Sequence, residues 1–166
     1  MKKSTGSAFR TVRGYQLLNQ QERELTPALE DYLEMAYRLC QTNGYTRVGK
    51  ISEILNVKPS SASKMVSRLR ELDYLEYDNY DSICLTPKGE ELGEYLLERH
   101  QIVEEFLQLI GSTDALLEAE LVEHSLSPET VGRLKILLDF FAEESESKKR
   151  FADFRKKRED EVKRHS

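Results

Sequence analysis

Long apolar runs are missing from this 166-residue sequence: none approaches the roughly 18 consecutive apolar residues of a membrane helix, and the N-terminus carries no signal-peptide stretch. A cytoplasmic protein with no membrane partner is expected. Cysteine is scarce. Cys40 and Cys84 each lie inside an apolar segment and not in a metal-type spacing, which argues against a disulfide scaffold or a zinc ribbon and for two reduced, buried thiols. With 8 Gly and 4 Pro the chain is neither collagen-like nor of low complexity, and no internal repeat is evident. No Ser-His-Asp or Cys-His grouping is legible, so an enzyme is not expected. What the chain does have, 39% hydrophobic and 33% charged residues, suits a soluble, helix-rich fold of one domain or two small ones.

The net charge of −5 would by itself disfavour a nucleic-acid partner, but it is unevenly spread. From Thr46 to Arg70 six basic residues, Arg47, Lys50, Lys58, Lys64, Arg68 and Arg70, stand against the single acid Glu53. From Glu90 to His124 ten acids stand against Arg99 alone. One stretch suits an anion and the next a cation.

Residues 1–24 mix Lys, Arg, Ser, Thr, Gly and Gln without an apolar period and read as a mildly basic arm. Thr26-Pro27 is a helix start, a capping hydroxyl followed by proline. Leu29, Tyr32, Leu33, Ala36 and Cys40 then recur at three- and four-residue steps up to Asn43-Gly44. Val48, Ile51, Ile54 and Leu55 mark a short second helix. Pro59 opens a third, with Ala62, Met65, Val66, Leu69 and Leu72 on its inner side. Two helices joined by a short turn form a helix-turn-helix signature, and Tyr74–Tyr77 and Ile83–Thr86 read as short strands of a wing around the polar turn Asp78–Ser82. A long helix follows Thr86-Pro87 and ends at Gly111, another runs from Thr113 to about Ser125, and a third begins at Ser127-Pro128. Their apolar faces exceed what a small winged domain needs, and the surplus points to a homodimer surface. The stretch Lys148–Arg164 reads as a charged, solvated helix or a frayed end.

A recognition helix needs small residues for close approach, and basic residues and helix-end amides for phosphates. The run from Pro59 to Arg68 fits: Ser60, Ser61, Ser63 and Lys64 are expected to face double-stranded DNA, with Ser67 and Arg68 behind them and Arg47 and Lys58 in the same basic stretch. An ordinary amphipathic helix with solvated charges is the alternative.

Candidate metal ligands occur in three places. Asp31 and Glu34 lie three apart on the first helix, on the polar side shared with Arg38. His100 interrupts the stripe between Leu96 and Val103, so it must either hydrogen-bond within the core or bind something. Glu120 and His124 extend the Leu116 and Leu117 stripe and are expected to face inward, whereas Glu123 is uninformative by position. Taken together, four carboxylates and two imidazoles without a thiolate suit Mn²⁺ or Fe²⁺ over Cu(I) and structural zinc, and four negative charges would balance two divalent ions. A carboxylate-bridged dimetal enzyme is disfavoured, because neither His100 nor His124 has a Glu three residues before it.

From about Leu25 to Phe141 the sequence resembles the diphtheria-toxin-repressor family of metal-dependent regulators, in particular its short manganese transport regulator branch. The resemblance rests on Thr26-Pro27 through Asp31-Tyr32-Leu33-Glu34, on Lys58-Pro59-Ser60-Ser61-Ala62-Ser63-Lys64-Met65-Val66, on Leu85-Thr86-Pro87-Lys88-Gly89, on Arg99-His100 and on Glu120-Leu121-Val122-Glu123-His124. It implies a mainly α fold, an N-terminal winged helix-turn-helix with a two-stranded wing followed by a helical dimerisation domain. The expected division is a flexible basic arm over 1–25, the DNA-binding domain over 26–95, the metal-binding and dimerisation domain over 96–142 and a charged helix or tail over 143–166. It further implies two manganese ions per subunit held by Asp31, Glu34, His100, Glu120, Glu123 and His124, and a homodimer that represses from a palindromic operator. Iron-sensing relatives carry Met and Cys where this chain has Asp31 and Glu120, so Mn²⁺ is expected over Fe²⁺ or other divalent ions. The alternative function is a winged-helix regulator that answers to iron or to a non-metal small effector. Residues 1–24 depart from the family pattern, in which the first helix begins almost at the N-terminus.

Overall fold

The structure, a computed structural model, describes residues 25–78, 80 and 82–164. The expected basic arm lies outside these residues except for Leu25, which is buried. The chain divides into two units between Glu90 and Glu91.

In the first unit, helix α1 spans Pro27–Asn43. Thr26 caps it by accepting from the Leu29 N–H at 3.3 Å, and Gly44, at φ +79°, closes it by donating to the Cys40 carbonyl at 2.7 Å. Helix α2, Val48–Ile54, and helix α3, Pro59–Glu71, form the helix-turn-helix. The sharp turn passes through Asn56 at φ +52°, a left-handed conformation that asparagine tolerates well among non-glycine residues. The apolar stripes read from the sequence meet in one core, in which Leu33, Ile51, Ala62, Leu69 and Ile83 are wholly buried. Met65 and Leu72, expected inside, lie half-buried at its margin.

Strands β1, Leu75–Tyr77, and β2, Ile83–Leu85, pair antiparallel with Glu76 opposite Cys84. Thr46 adds an isolated bridge to Ile83. Within the intervening turn, Asn79 and Asp81 lie outside the described residues. The Asp78 Oδ1 accepts from the backbone N–H groups of Ser82 and Tyr80, each at 2.8 Å. These two bonds, with a smaller contribution from Arg47, hold the Asp78 carboxyl below the usual carboxylate range. A carboxyl whose folded value is depressed stabilises the turn above its unfolded value, about 3.9, and loses that contribution as pH falls through the folded value. The amide protection factors of Tyr80 and Ser82 should therefore hold from neutral pH to about 4 and drop below it. Asp78→Ala should remove the protection at every pH, and protection that survives in the variant would mean the turn does not depend on this carboxylate.

Helix α4, Pro87–Ile110, begins in the first unit and continues into the second. Its start is bolted to the end of α3: the Thr86 hydroxyl donates to the Asp73 carbonyl at 2.6 Å and accepts from the Gly89 N–H at 3.0 Å. In the second unit follow α5, Ala115–Val122, a 3₁₀ turn over Glu123–Ser125, α6, Pro128–Glu143, and α7, Ser145–Arg164. Asp114 and Ser127 cap α5 and α6 as side-chain acceptors. Helix α7 buries none of its residues fully, although its Phe151 ring lies 5.5 Å from that of Phe141. No described helix is long and apolar enough to cross a membrane.

Both cysteines are free thiols, Cys40 buried and Cys84 half-buried. Burial, reinforced by neighbouring Cys84, pushes the Cys40 thiol up to about 11. Burial and the nearby Asp78 and Glu76 raise Cys84 as well. Both stay protonated at neutral pH and are poor metal ligands or nucleophiles.

Candidate metal centre and nucleic-acid interface

The outer face of α3 carries small and basic side chains. Ala62, Val66 and Leu69 turn inward, so the helical period places Ser60, Ser61, Ser63, Lys64 and Arg68 in solvent, with Ser67 half-buried between the faces. Arg47 and Lys58 are exposed on the same unit, just ahead of α2 and α3. Arg68 is partly neutralised by Glu71 at 2.8 Å, an exposed pair that costs little to exchange for another anion.

The expected metal ligands fall into two groups. On α1, Asp31 is half-buried, and Glu34, one turn further, is buried with its Oε1 2.6 Å from Arg38 Nη2. In the second unit, α4 and the α5–3₁₀ segment bring together the other four. His100 is 3% exposed, and its Nδ1 lies 3.2 Å from Glu123 Oε1 and 3.6 Å from Glu120 Oε1. His124 reaches the same cluster through Arg99, whose Nη2 lies 3.1 Å from its Nδ1, while Arg99 Nε lies 3.4 Å from Glu123 Oε2.

Two expectations about this segment need correction. The Leu116 and Leu117 stripe does not face inward: both leucines are 55% exposed, and the Glu120 side chain is 54% exposed. The buried stripe is instead Ala115, Ala119 and Glu123, at four-residue steps. Glu123, uninformative by position, is at 1% exposure the most deeply buried acid among the described residues. Small alanines leave room for close helix approach, so they, not the leucines, form the inner face, and Glu123, the first residue of the 3₁₀ turn, continues it. Two further members, Arg99 and Glu104, were not among the expected ligands; Glu104 Oε2 is 3.7 Å from His100 Nε2. The signal for Arg99 was present, since it is the lone base in the acidic stretch from Glu90 to His124.

Chemically, the second-unit cluster offers carboxylate oxygens and imidazole nitrogens and no thiolate, a donor set for hard or borderline divalent cations. Residues 24–83 match the family described as iron dependent repressor, N-terminal DNA binding domain, and residues 86–152 match iron dependent repressor, metal binding and dimerisation domain. The chain belongs to the iron dependent repressor family. Within it the chain is of the MntR type. It is 40% identical over 136 residues to the HTH-type transcriptional regulator MntR of Geobacillus kaustophilus, which covers 81% of this chain and 96% of that one. It is 44% identical over 118 residues to the MntR of Listeria welshimeri, covering 70% and 83%. Among solved structures, the manganese regulator SloR superposes with a TM-score of 0.62 at 32% identity, over 70% of this chain and 55% of SloR. The winged helix-turn-helix and two-stranded wing expected from the sequence are thus the DNA-binding domain of an iron dependent repressor, a transcriptional regulator and not an enzyme.

Proposed function

We propose that the chain is a manganese-responsive transcriptional repressor of the cytoplasm, in which Mn²⁺ is the co-repressor and metal-uptake genes are the targets. The observation that carries this reading is that His100 Nδ1 lies within 3.6 Å of carboxylate oxygens of both Glu120 and Glu123, in the region matching the family's metal-binding domain and with no thiol among them. The full ligand set for two ions is Asp31, Glu34, His100, Glu120, Glu123 and His124. A bound divalent ion supplies a fixed positive centre that oxygen and imidazole donors can share. Asp31 and Glu34 belong to a helix of the DNA-binding domain, taken as 26–95, and the other four to the metal-binding and dimerisation domain, taken as 96–142, with 143–166 as a charged C-terminal helix. Commitment of both sets to the same ions favours the arrangement of the protein that presents them together. A coupling of about 1–3 kcal/mol would change DNA affinity roughly 5- to 150-fold, enough for a homeostatic switch.

DNA contact falls to Ser60, Ser61, Ser63 and Lys64, with Arg47, Lys58, Ser67 and Arg68 on phosphates. Leu116, Leu117, Leu121, Ile136 and Phe140 of the second unit are each exposed, apolar surface that a second copy would cover, and a homodimer reads a palindromic operator. The test is capture of fragmented genomic DNA from the source organism on the full chain, with Mn²⁺ and with chelator. A few palindromic promoters enriched only with Mn²⁺ are expected. Equal capture in chelator would leave a DNA-binding regulator and remove the metal switch, and enrichment with Fe²⁺ but not Mn²⁺ would turn the reading to iron.

A further inference from the structure

Arg99 stands where a metal ion would be expected to have its ligands to itself. It is 3% exposed, with Nε 3.4 Å from Glu123 Oε2 and Nη2 3.1 Å from His124 Nδ1. A guanidinium is always charged and only donates, so the His124 Nδ1 opposite it must be the ring nitrogen with the lone pair, and the imidazole proton sits on Nε2. A neutral imidazole has one such lone pair. Ligation through Nδ1 requires Arg99 to leave. Ligation through Nε2 requires the proton to move to Nδ1, where N–H would face N–H and the contact with Arg99 would again be lost. The Arg99–His124 hydrogen bond and metal ligation by His124 therefore exclude each other.

We infer that Arg99 is the resident cation of this site: it holds Glu123 and His124 in the metal-free protein and must release His124 when a divalent ion is ligated, so it sets the metal concentration at which the site fills. The inference rests on the reading of His124 as a ligand. Arg99 is in this sense a positioning residue, matched in charge to the acids around it and competing with the ion for the same lone pair. A residue that only buttressed the ligands would act with the opposite sign, because its removal would weaken metal binding.

The test uses the full chain at pH 8, where an unperturbed imidazole is neutral. In metal-free wild type, the ring ¹⁵N shifts of His124, assigned with His124→Gln, should report an unprotonated, hydrogen-bonded Nδ1 and a protonated Nε2. In Arg99→Met, calorimetric titration with Mn²⁺ should show about tenfold tighter binding, the size expected for loss of one hydrogen bond to a charged group. A proton on Nδ1 in the wild type overturns the inference. So does unchanged or weaker Mn²⁺ binding in a variant that keeps its circular dichroism. If Arg99→Met does not fold, the wild-type tautomer decides, together with Arg99→Lys, whose shorter, non-planar head should weaken the His124 contact and tighten Mn²⁺ in the same direction. If neither wild type nor variants bind Mn²⁺, the functional reading falls and the competition with it, an outcome distinct from bound Mn²⁺ of unaltered affinity.

Discussion

Glu123→Ala is expected to destabilise the metal-free protein by about 3–5 kcal/mol, the range for removing one partner of a buried ion pair. Glu123 is 1% exposed and receives both the Arg99 guanidinium at 3.4 Å and the His100 ring at 3.2 Å. Alanine would leave the buried positive charge of Arg99 without that carboxylate, and the desolvation already spent on it would no longer be offset. Urea unfolding in chelator measures the effect directly. Glu120→Ala is the matched control: its side chain is 54% exposed, so a change within about 0.5 kcal/mol is expected although both acids lie beside His100 and are in the proposed ligand set. The double variant Arg99→Met with Glu123→Leu should recover much of the loss, because replacing a buried pair by apolar residues of similar volume is often neutral. Equal losses for Glu120→Ala and Glu123→Ala would mean that the buried pair contributes nothing particular.

Gly89→Ala should cost about 3 kcal/mol, at the upper end of what overpacking a close contact does. A Cβ at this position would stand 1.9 Å from the backbone oxygen of Tyr74, and a backbone atom cannot swing aside as a side-chain tip can. The contact is central to the wing root. Gly89 donates to the Thr86 hydroxyl, that hydroxyl donates to Asp73, and the Lys88 ammonium donates to the Leu72 carbonyl at 3.0 Å while lying 4.1 Å from the centre of the Tyr74 ring. Forcing α4 away from Tyr74 would loosen these bonds together, so thermal unfolding should move several degrees lower and DNA affinity should fall with it. Gly49, whose added Cβ would meet nothing within 4 Å, provides the contrast: Gly49→Ala lies within α2 and should be neutral or slightly stabilising. A melting temperature unaltered by Gly89→Ala would show that the start of α4 is free to shift.

Much of the fold was legible because its signals are local. Thr26-Pro27 and Ser127-Pro128 start helices through a hydroxyl within reach of an amide two or three residues on, and no distant residue is needed for that. The outward serines and Lys64 of α3 follow from three inward residues at helical spacing. The leucines of α5 misled for a different reason. Hydrophobicity marks a residue that gains from leaving water, but it does not say whether its own chain or a second molecule will cover it.

Residue identity alone pointed to the chemistry on offer: oxygen and imidazole donors in a chain with only two cysteines, a basic stretch from Thr46 to Arg70 beside an acidic one, and a glycine where α4 starts. These depend only on which functional groups the chain carries and on periodicity within single helices. The tertiary structure decided which of those groups are desolvated and which face one another. It turned Ala115, Ala119 and Glu123 inward in place of the leucines and set Arg99 between Glu123 and His124. Burial and pairing are properties of elements distant in sequence, and the energies that depend on them, desolvation above all, arise only once those elements have met.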